Sequence, residues 1–249
     1  MTQVSTQPTS LTQSRKRDDY CDPVTRVTKS LLGYGVIASA FYVAVWLIQA
    51  ATRSGFNITR DPASLLSNGD LGWIQVVNFL IVGAIVIAAA VGFRRALAGE
   101  GRTQWVGWLV GLFGVGMLAA GIFKPDPSYG FPAGAPTGAP ITTTVHGNPH
   151  LILGSLGFLS LIIGAFVFVV WLPRRGEHTL ASLSVLPGAF FLAADLSGTF
   201  LAKQHEVADN LTLTAGILVG FTWLTWSSVF LYRFVSRRSA NANVEQVAS

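Results

Sequence analysis

Residues Trp73–Phe93 read WIQVVNFLIVGAIVIAAAVGF and carry no charged side chain before the Arg94-Arg95 pair that follows. At 1.5 Å per residue, a stretch of this length spans the roughly 30 Å of a bilayer's hydrocarbon as one helix. Lipid offers the backbone no hydrogen-bond partner, so a crossing segment must satisfy its own peptide groups, and helix is the form that does so. Five further segments share this character: Leu31–Ala51, Gln104–Phe123, His150–Leu172, Leu180–Phe200 and Leu211–Phe234. They predict an all-α, polytopic membrane bundle of six transmembrane helices. The bundle fills residues 30–235, between disordered cytoplasmic tails at 1–29 and 236–249.

Composition agrees. Of 249 residues 51% are hydrophobic and only 12% charged, against about 25% charged in a soluble domain. The connections are too short to hold a separate soluble domain. The formal charge of +5 does not imply a nucleic-acid partner, because the basic residues sit at helix ends, where they set orientation. Arg15, Lys16, Arg17, Arg26 and Lys29 precede the first segment. Arg94, Arg95 and Arg102 fill the second connection, Arg174 and Arg175 the fourth, and Arg233, Arg237 and Arg238 the C-terminal end. The alternate connections hold only Arg53 and Arg60, then Lys124, then Lys203. The positive-inside rule places both termini in the cytoplasm, in agreement with an even number of crossings.

The single cysteine, Cys21, allows no internal disulfide and no thiolate metal site. The N-terminal stretch lacks the short apolar core of a signal peptide, so the first helix reads as an uncleaved anchor.

The outer connections are the richer ones. Residues 52–72 (TRSGFNITRDPASLLSNGDLG) contain Phe56, Leu65 and Leu66, and a short interfacial helix is expected after Pro62 with Asp61 as its cap. Residues 124–149 contain Pro125, Pro127, Pro132, Pro136 and Pro140, which predicts an extended, turn-rich flap. Tyr129 and Phe131 in it point to a flap that rests on something apolar. Gly107, Gly111 and Gly114 share a face of the third helix, and Gly154, Gly157 and Gly164 mark the fourth. Small residues of this kind let helix backbones approach closely in lipid.

Ionisable residues inside a membrane are costly and are functional candidates by default. Asp195, within the fifth segment, is the foremost and the candidate catalytic acid or base. Thr199 and Lys203 follow it at steps of four, on the same helical face. Its structural alternative is a carboxylate locked to Lys203. Asn78 lies in the outer half of the second helix, where an amide either joins helices or binds a ligand; Gln75 is nearer the interface. The flap supplies Asp126, His146 and then His150. One helical turn between the histidines would suit a zinc site with Asp126, although Pro149 favours a helix that starts there with Asn148 as cap. His205, Glu206 and Asp209 read as a solvated loop. Together Asn78, Asp126, His146, His150, Asp195 and Lys203 would line an outward-facing pocket roofed by the flap. Phosphate-binding glycine loops, a serine elbow and intramembrane arginine runs do not occur in the sequence.

Four stretches carry a family resemblance: TRVTKSLLGYG, TRSGFNITRDPASLLSNGDLGWIQVVNF, AAGIFKPDPSYGFPAGAP and HGNPH. Through them Leu31 to about Leu161 resembles the bacterial and archaeal membrane proteins catalogued as domain of unknown function 998. The resemblance is close over the first four helices and looser over the last two. It implies an integral bundle of about six helices in a bacterial cytoplasmic (plasma) membrane, and it assigns no activity.

Three functions fit these residues. One is binding or transport of a lipid or other small amphiphile in the outer pocket, with Arg53, Arg60 and Lys203 facing anionic head groups and membrane lipids as partners. Another is a metal-assisted intramembrane hydrolase, with zinc on His146, His150 and Asp126 and with Asp195 as acid or base. The third is a structural or regulatory subunit built on glycine-faced packing.

Overall fold

The computed structural model describes residues 23–138, 143–190 and 206–248. Four helices follow one another as α1 (Pro23–Thr52), α2 (Gly72–Ala96), α3 (Trp105–Ile122) and α4 (Gly147–Trp171). The short α5 (His178–Leu183) and the long α6 (Glu206–Ala248) complete the set among the described residues. Tight 3-10 turns at Ala63–Ser67, Gly101–Gln104 and Leu172–Arg175 sit in the connections. Five helical stretches are long and apolar enough to cross a membrane: Pro23–Thr52, Gly72–Ala96, Gly101–Ile122, Gly147–Arg175 and Asn210–Ala242. Most of the sixth expected segment, Leu180–Phe200, lies outside the described residues. Its start is helical in α5 and at 186–190.

The helices are apolar all round, as a membrane solvent demands. Phe93, Val110, Phe113, Phe168 and Leu224 face inward, while Ile37, Leu112, Leu156 and Val170 point outward. Chain neighbours pack side by side from α1 to α4, and α6 lies along α1. Each pairing is antiparallel. A Cβ on Gly92 would press on Leu32 near the start of α1. The Ser39 hydroxyl donates to the Phe221 carbonyl of α6 at 3.0 Å, and Gly35, one turn earlier, faces the later residue Ser228. The Ser160 hydroxyl of α4 likewise donates to the Leu109 carbonyl of α3 at 3.0 Å. Hydroxyls that bond across helices in this way are characteristic of membrane bundles.

The glycine faces behave as expected. Gly107, Gly111 and Gly114 all turn toward α2. Two glycines meet where α3 packs on α4, and a Cβ on Gly116 would stand 2.8 Å from the Gly157 Cα. Gly154 has open space beside it instead.

Two boundaries differ from the sequence reading. Helix α1 begins at Pro23, inside the stretch read as a tail, because Pro is preorganised for a first helical turn. Helix α6 runs on to Ala248, past the boundary at 235.

The bundle has two unlike ends. One gathers Arg94, Arg95, Arg102, Arg174, Arg175, Arg233, Arg237 and Arg238. The other carries residues 53–71 and the flap from Lys124.

Candidate site beneath the loops at one end of the bundle

The first connection folds back over the helices instead of looping into solvent. Arg53 anchors it, donating to the Leu66 carbonyl at 3.1 Å and the Asn68 carbonyl at 2.7 Å. Burial lowers the Arg53 guanidinium from its ordinary range, and Asp70 opposes that shift. Asp61 is buried and does not cap a helix. It accepts the Asn57 N–H at 2.8 Å and pairs with Arg60 at 2.6 Å. The expected helix after Pro62 is the five-residue 3-10 turn Ala63–Ser67, with no side-chain cap. Arg53 and Arg60 are therefore both engaged within the loop.

The flap does rest on an apolar seat. Phe131 is buried with Trp46, Ala63, Leu65 and Leu66. Phe56 meets its ring edge-on at a centroid distance of 5.3 Å, and the Arg53 guanidinium lies 5.2 Å from its centre. Tyr129, two residues earlier, holds a φ of 54°. Such a left-handed backbone is costly for a bulky residue and persists where the surroundings over-determine it, here through the burial of Phe131. The Asn68 amide donates to the Pro125 carbonyl at 3.1 Å, and the Asn210 amide of α6 donates to the Ile58 carbonyl at 3.1 Å. Loop, flap and α6 thus form one cover.

Beneath it lies a polar cluster between α1 and α2. The Gln49 amide nitrogen donates to the Gln75 side-chain oxygen at 2.7 Å. That oxygen also accepts from the Asn78 amide at 3.2 Å. The Tyr42 phenol lies beside Gln75. Gln49, Gln75 and Asn78 are 2%, 0% and 1% exposed. The bonds do not satisfy the cluster. Trp46 Nε1, Gln49 Oε1, Gln75 Nε2, Asn78 Oδ1 and the nearby Ser67 Oγ have no hydrogen-bond partner among the described residues. Turning an amide over exchanges which of its atoms is left without removing the deficit.

The flap residues are occupied otherwise. Asp126 accepts from the Thr144 N–H at 2.9 Å and the Thr144 hydroxyl at 2.6 Å. Its carboxylate sits so close over the start of α4 that a Cβ on Gly147 would collide with it, a placement the helix dipole favours. Helix α4 starts at Gly147, ahead of the Asn148 cap expected from sequence. The Thr144 oxygen accepts the Gly147 N–H at 3.0 Å. His150 Nδ1 meets the Phe123 carbonyl at 2.8 Å; an acceptor there fixes Nδ1 as the protonated nitrogen. This bond serves the carbonyl of Phe123, the residue that caps α3, one of the groups a helix end leaves open.

The expected zinc set of His146, His150 and Asp126 is not assembled. Among the described residues no three His, Cys, Asp or Glu side chains lie together as metal ligands. Asp126 and His146 do share a surface cleft of about 350 Å³ with Asn68, Lys124 and Thr144. Buried His150 and Asn78 are not part of it. Asp195 and Lys203 lie outside the described residues, as do Cys21, Thr199 and His205. The polar cluster therefore includes Asn78 from the expected site and adds Tyr42, Trp46, Gln49, Ser67 and Gln75. A lone glutamine in the apolar run YVAVWLIQAA is the signal that reveals Gln49.

The chain matches the sequence profile of the family described as Protein of unknown function (DUF998) over residues 36–230. It belongs to the DUF998 family. The match extends into α6, beyond the four helices where the resemblance is closest. No curated protein and no solved structure matches. This DUF998 protein is a multi-pass membrane protein, and its buried amides lie at the end of the bundle that carries the loops.

Proposed function

We propose that this protein crosses the cytoplasmic membrane of a bacterium six times, with both termini inside, and binds a lipid or other small amphiphile at its outward, loop-bearing end. The placement of the basic residues supports that orientation. Helix α4 ends at the arginine-rich end, whereas α6 starts beside Ile58 at the opposite one. This supports a further crossing within Leu180–Phe200.

The observation that carries the binding reading is the cluster of Gln49, Gln75 and Asn78, buried and incompletely bonded under a cover of apolar side chains. Polar groups facing a bundle interior in lipid are expensive, and they mark binding sites by default. The hydrolase reading has lost its ligand set. The structural-subunit reading draws on the glycine contacts of α3 and the helix-capping duties of Asp126 and His150.

Native mass spectrometry of the full chain, released from lipid nanodiscs, decides between the two survivors. A retained amphiphile, lost in Gln75→Met/Asn78→Leu, supports binding, and Asp195→Ala tests whether the fifth segment contributes. Identical bare spectra for all three proteins would replace this proposal with a structural role.

A further inference from the structure

The unsatisfied atoms specify what they recognise. Trp46 and Gln75 offer N–H donors, Gln49 and Asn78 offer carbonyl acceptors, and the Ser67 hydroxyl is both. Among the described residues no charged side chain belongs to the cluster, and the guanidinium of Arg53, just past the end of α1, is held by the Leu66 and Asn68 carbonyls. A phosphate or ammonium brought here would lose its hydration with no counter-charge to replace it, a large penalty in a medium of low polarity. A neutral group that donates and accepts hydrogen bonds meets no such penalty, and each bond it makes relieves a group already out of water.

The cover adds a second constraint. Its seat is apolar (Trp46, Leu65, Leu66, Phe131), and Leu218 of α6 packs against it. A ligand held at the amides with its tail toward the cover would keep hydrocarbon against Phe131, the side chain that seats the flap on the loop.

Resting on the amphiphile reading above, we infer that Gln49, Gln75 and Asn78, with Trp46 and Ser67, form a binding site for the uncharged hydroxyl- and ester-bearing head of a neutral lipid of the diacylglycerol type, gated by Phe131 of the flap.

Photolabelling tests this with the full chain in phosphatidylcholine nanodiscs. The probes are a diazirine-tailed dioleoylglycerol and, in parallel, a diazirine-tailed phosphatidylglycerol of the same chain length. The expected result is labelling of α1 and α2 peptides by the neutral probe, at least tenfold above the anionic one. Gln75→Met/Asn78→Leu should reduce it at least tenfold. Phe131→Ala, which leaves every amide in place, should speed it, so a misfolded amide variant cannot imitate the pattern. Equal or stronger labelling of α1 and α2 by phosphatidylglycerol, reduced by the same amide changes, overturns the head-group assignment and leaves an amphiphile site standing, whereas labelling that the amide changes do not reduce overturns both. Absence of labelling at this end by either probe overturns both.

Discussion

At the arginine-rich end, Glu100 accepts a hydrogen bond from the Trp171 indole at 3.2 Å and another from Arg175, and lies 3.8 Å from Arg238. At the loop-bearing end, Gln49, Gln75 and Asn78 share one accepting oxygen, Gln49 and Asn78 add long bonds to the Val45 and Tyr42 carbonyls, and Gln49 Oε1, Gln75 Nε2 and Asn78 Oδ1 are left without a partner among the described residues. Of the seven buried side-chain atoms without a partner among the described residues, only Ser228 Oγ lies away from the loop-bearing end. The core beside Glu100 is aromatic and closed, with Trp171 packed edge-on against Phe230 and Phe234 at centroid distances of 6.0 and 5.6 Å. One end has thus put its polar groups into pairs at the rim and filled its interior with rings. The other has carried polar groups inward and covered them. Since a buried unpaired group costs stability, the second arrangement asks for a reason beyond folding, and the ligand site proposed above would supply one.

The largest effect should come from opening the cover. Phe131→Ala deletes the side chain that joins flap to loop, and truncations of buried phenylalanine cost about 3–5 kcal/mol. In a single-cysteine protein (Cys21→Ser, Ser67→Cys), reaction of residue 67 with a water-soluble maleimide should accelerate about a hundredfold or more when Phe131 is truncated, the change in opening equilibrium that such a loss implies. An unchanged rate would mean that Phe131 does not hold the cover down, and the two ends would differ less than their interiors suggest.

Next comes the cluster itself, where single and combined changes should disagree in sign. Gln75→Met alone strands the amides of Gln49 and Asn78, which should destabilise by about 1–3 kcal/mol. Gln49→Met/Gln75→Met/Asn78→Leu removes the whole set and should melt at or above the wild-type temperature, because apolar replacement of both partners is neutral or stabilising. Thermal unfolding in detergent by tryptophan fluorescence reads both. A triple variant that melts below Gln75→Met would show that the amides hold the bundle together on balance, as Glu100 does at the far end.

Much of this contrast was visible in the chain, and the part that was not has a physical cause. Apolar runs identify membrane helices because lipid leaves the backbone no alternative, so α1 to α4 and α6 follow from composition alone. The flap and its apolar seat follow from Pro spacing and from Phe131. Asp126 and His150 misled because a carboxylate or imidazole near a helix end serves as readily to cap it as to hold a metal, and only the positions of Thr144 and the Phe123 carbonyl distinguish these roles. Gln75 reads as interfacial because an amide near a helix end is hard to tell, in sequence, from one that meets water, and Gln49 stands out only as a lone glutamine in an apolar run. Their pairing depends on how α1 and α2 register against each other, which no local pattern encodes.

That misreading yields a smaller prediction at the loop-bearing end. His150→Phe keeps a ring against Phe79 but removes the donor to the Phe123 carbonyl. The loss should be about 1 kcal/mol, the worth of one hydrogen bond. Zinc titration should leave the melting temperature of wild type and variant alike unchanged. A zinc-dependent rise in the wild type alone would restore His150 as a ligand and give this end a second kind of polar site.

The smallest effect belongs to the arginine-rich end. Glu100→Gln keeps an acceptor for the Trp171 indole and removes the charge that faces Arg175 and Arg238. Those arginine side chains are 40% and 63% exposed, so water and salt already screen much of the attraction. The expected loss is below about 1 kcal/mol and should shrink further when the melt is repeated at high salt. A loss larger than that of Gln75→Met, insensitive to salt, would mean that Glu100 is effectively buried and that the rim at this end bears more of the fold than its exposure indicates. The distinction between a paired rim and a strained interior would then have to be drawn by charge instead of by depth.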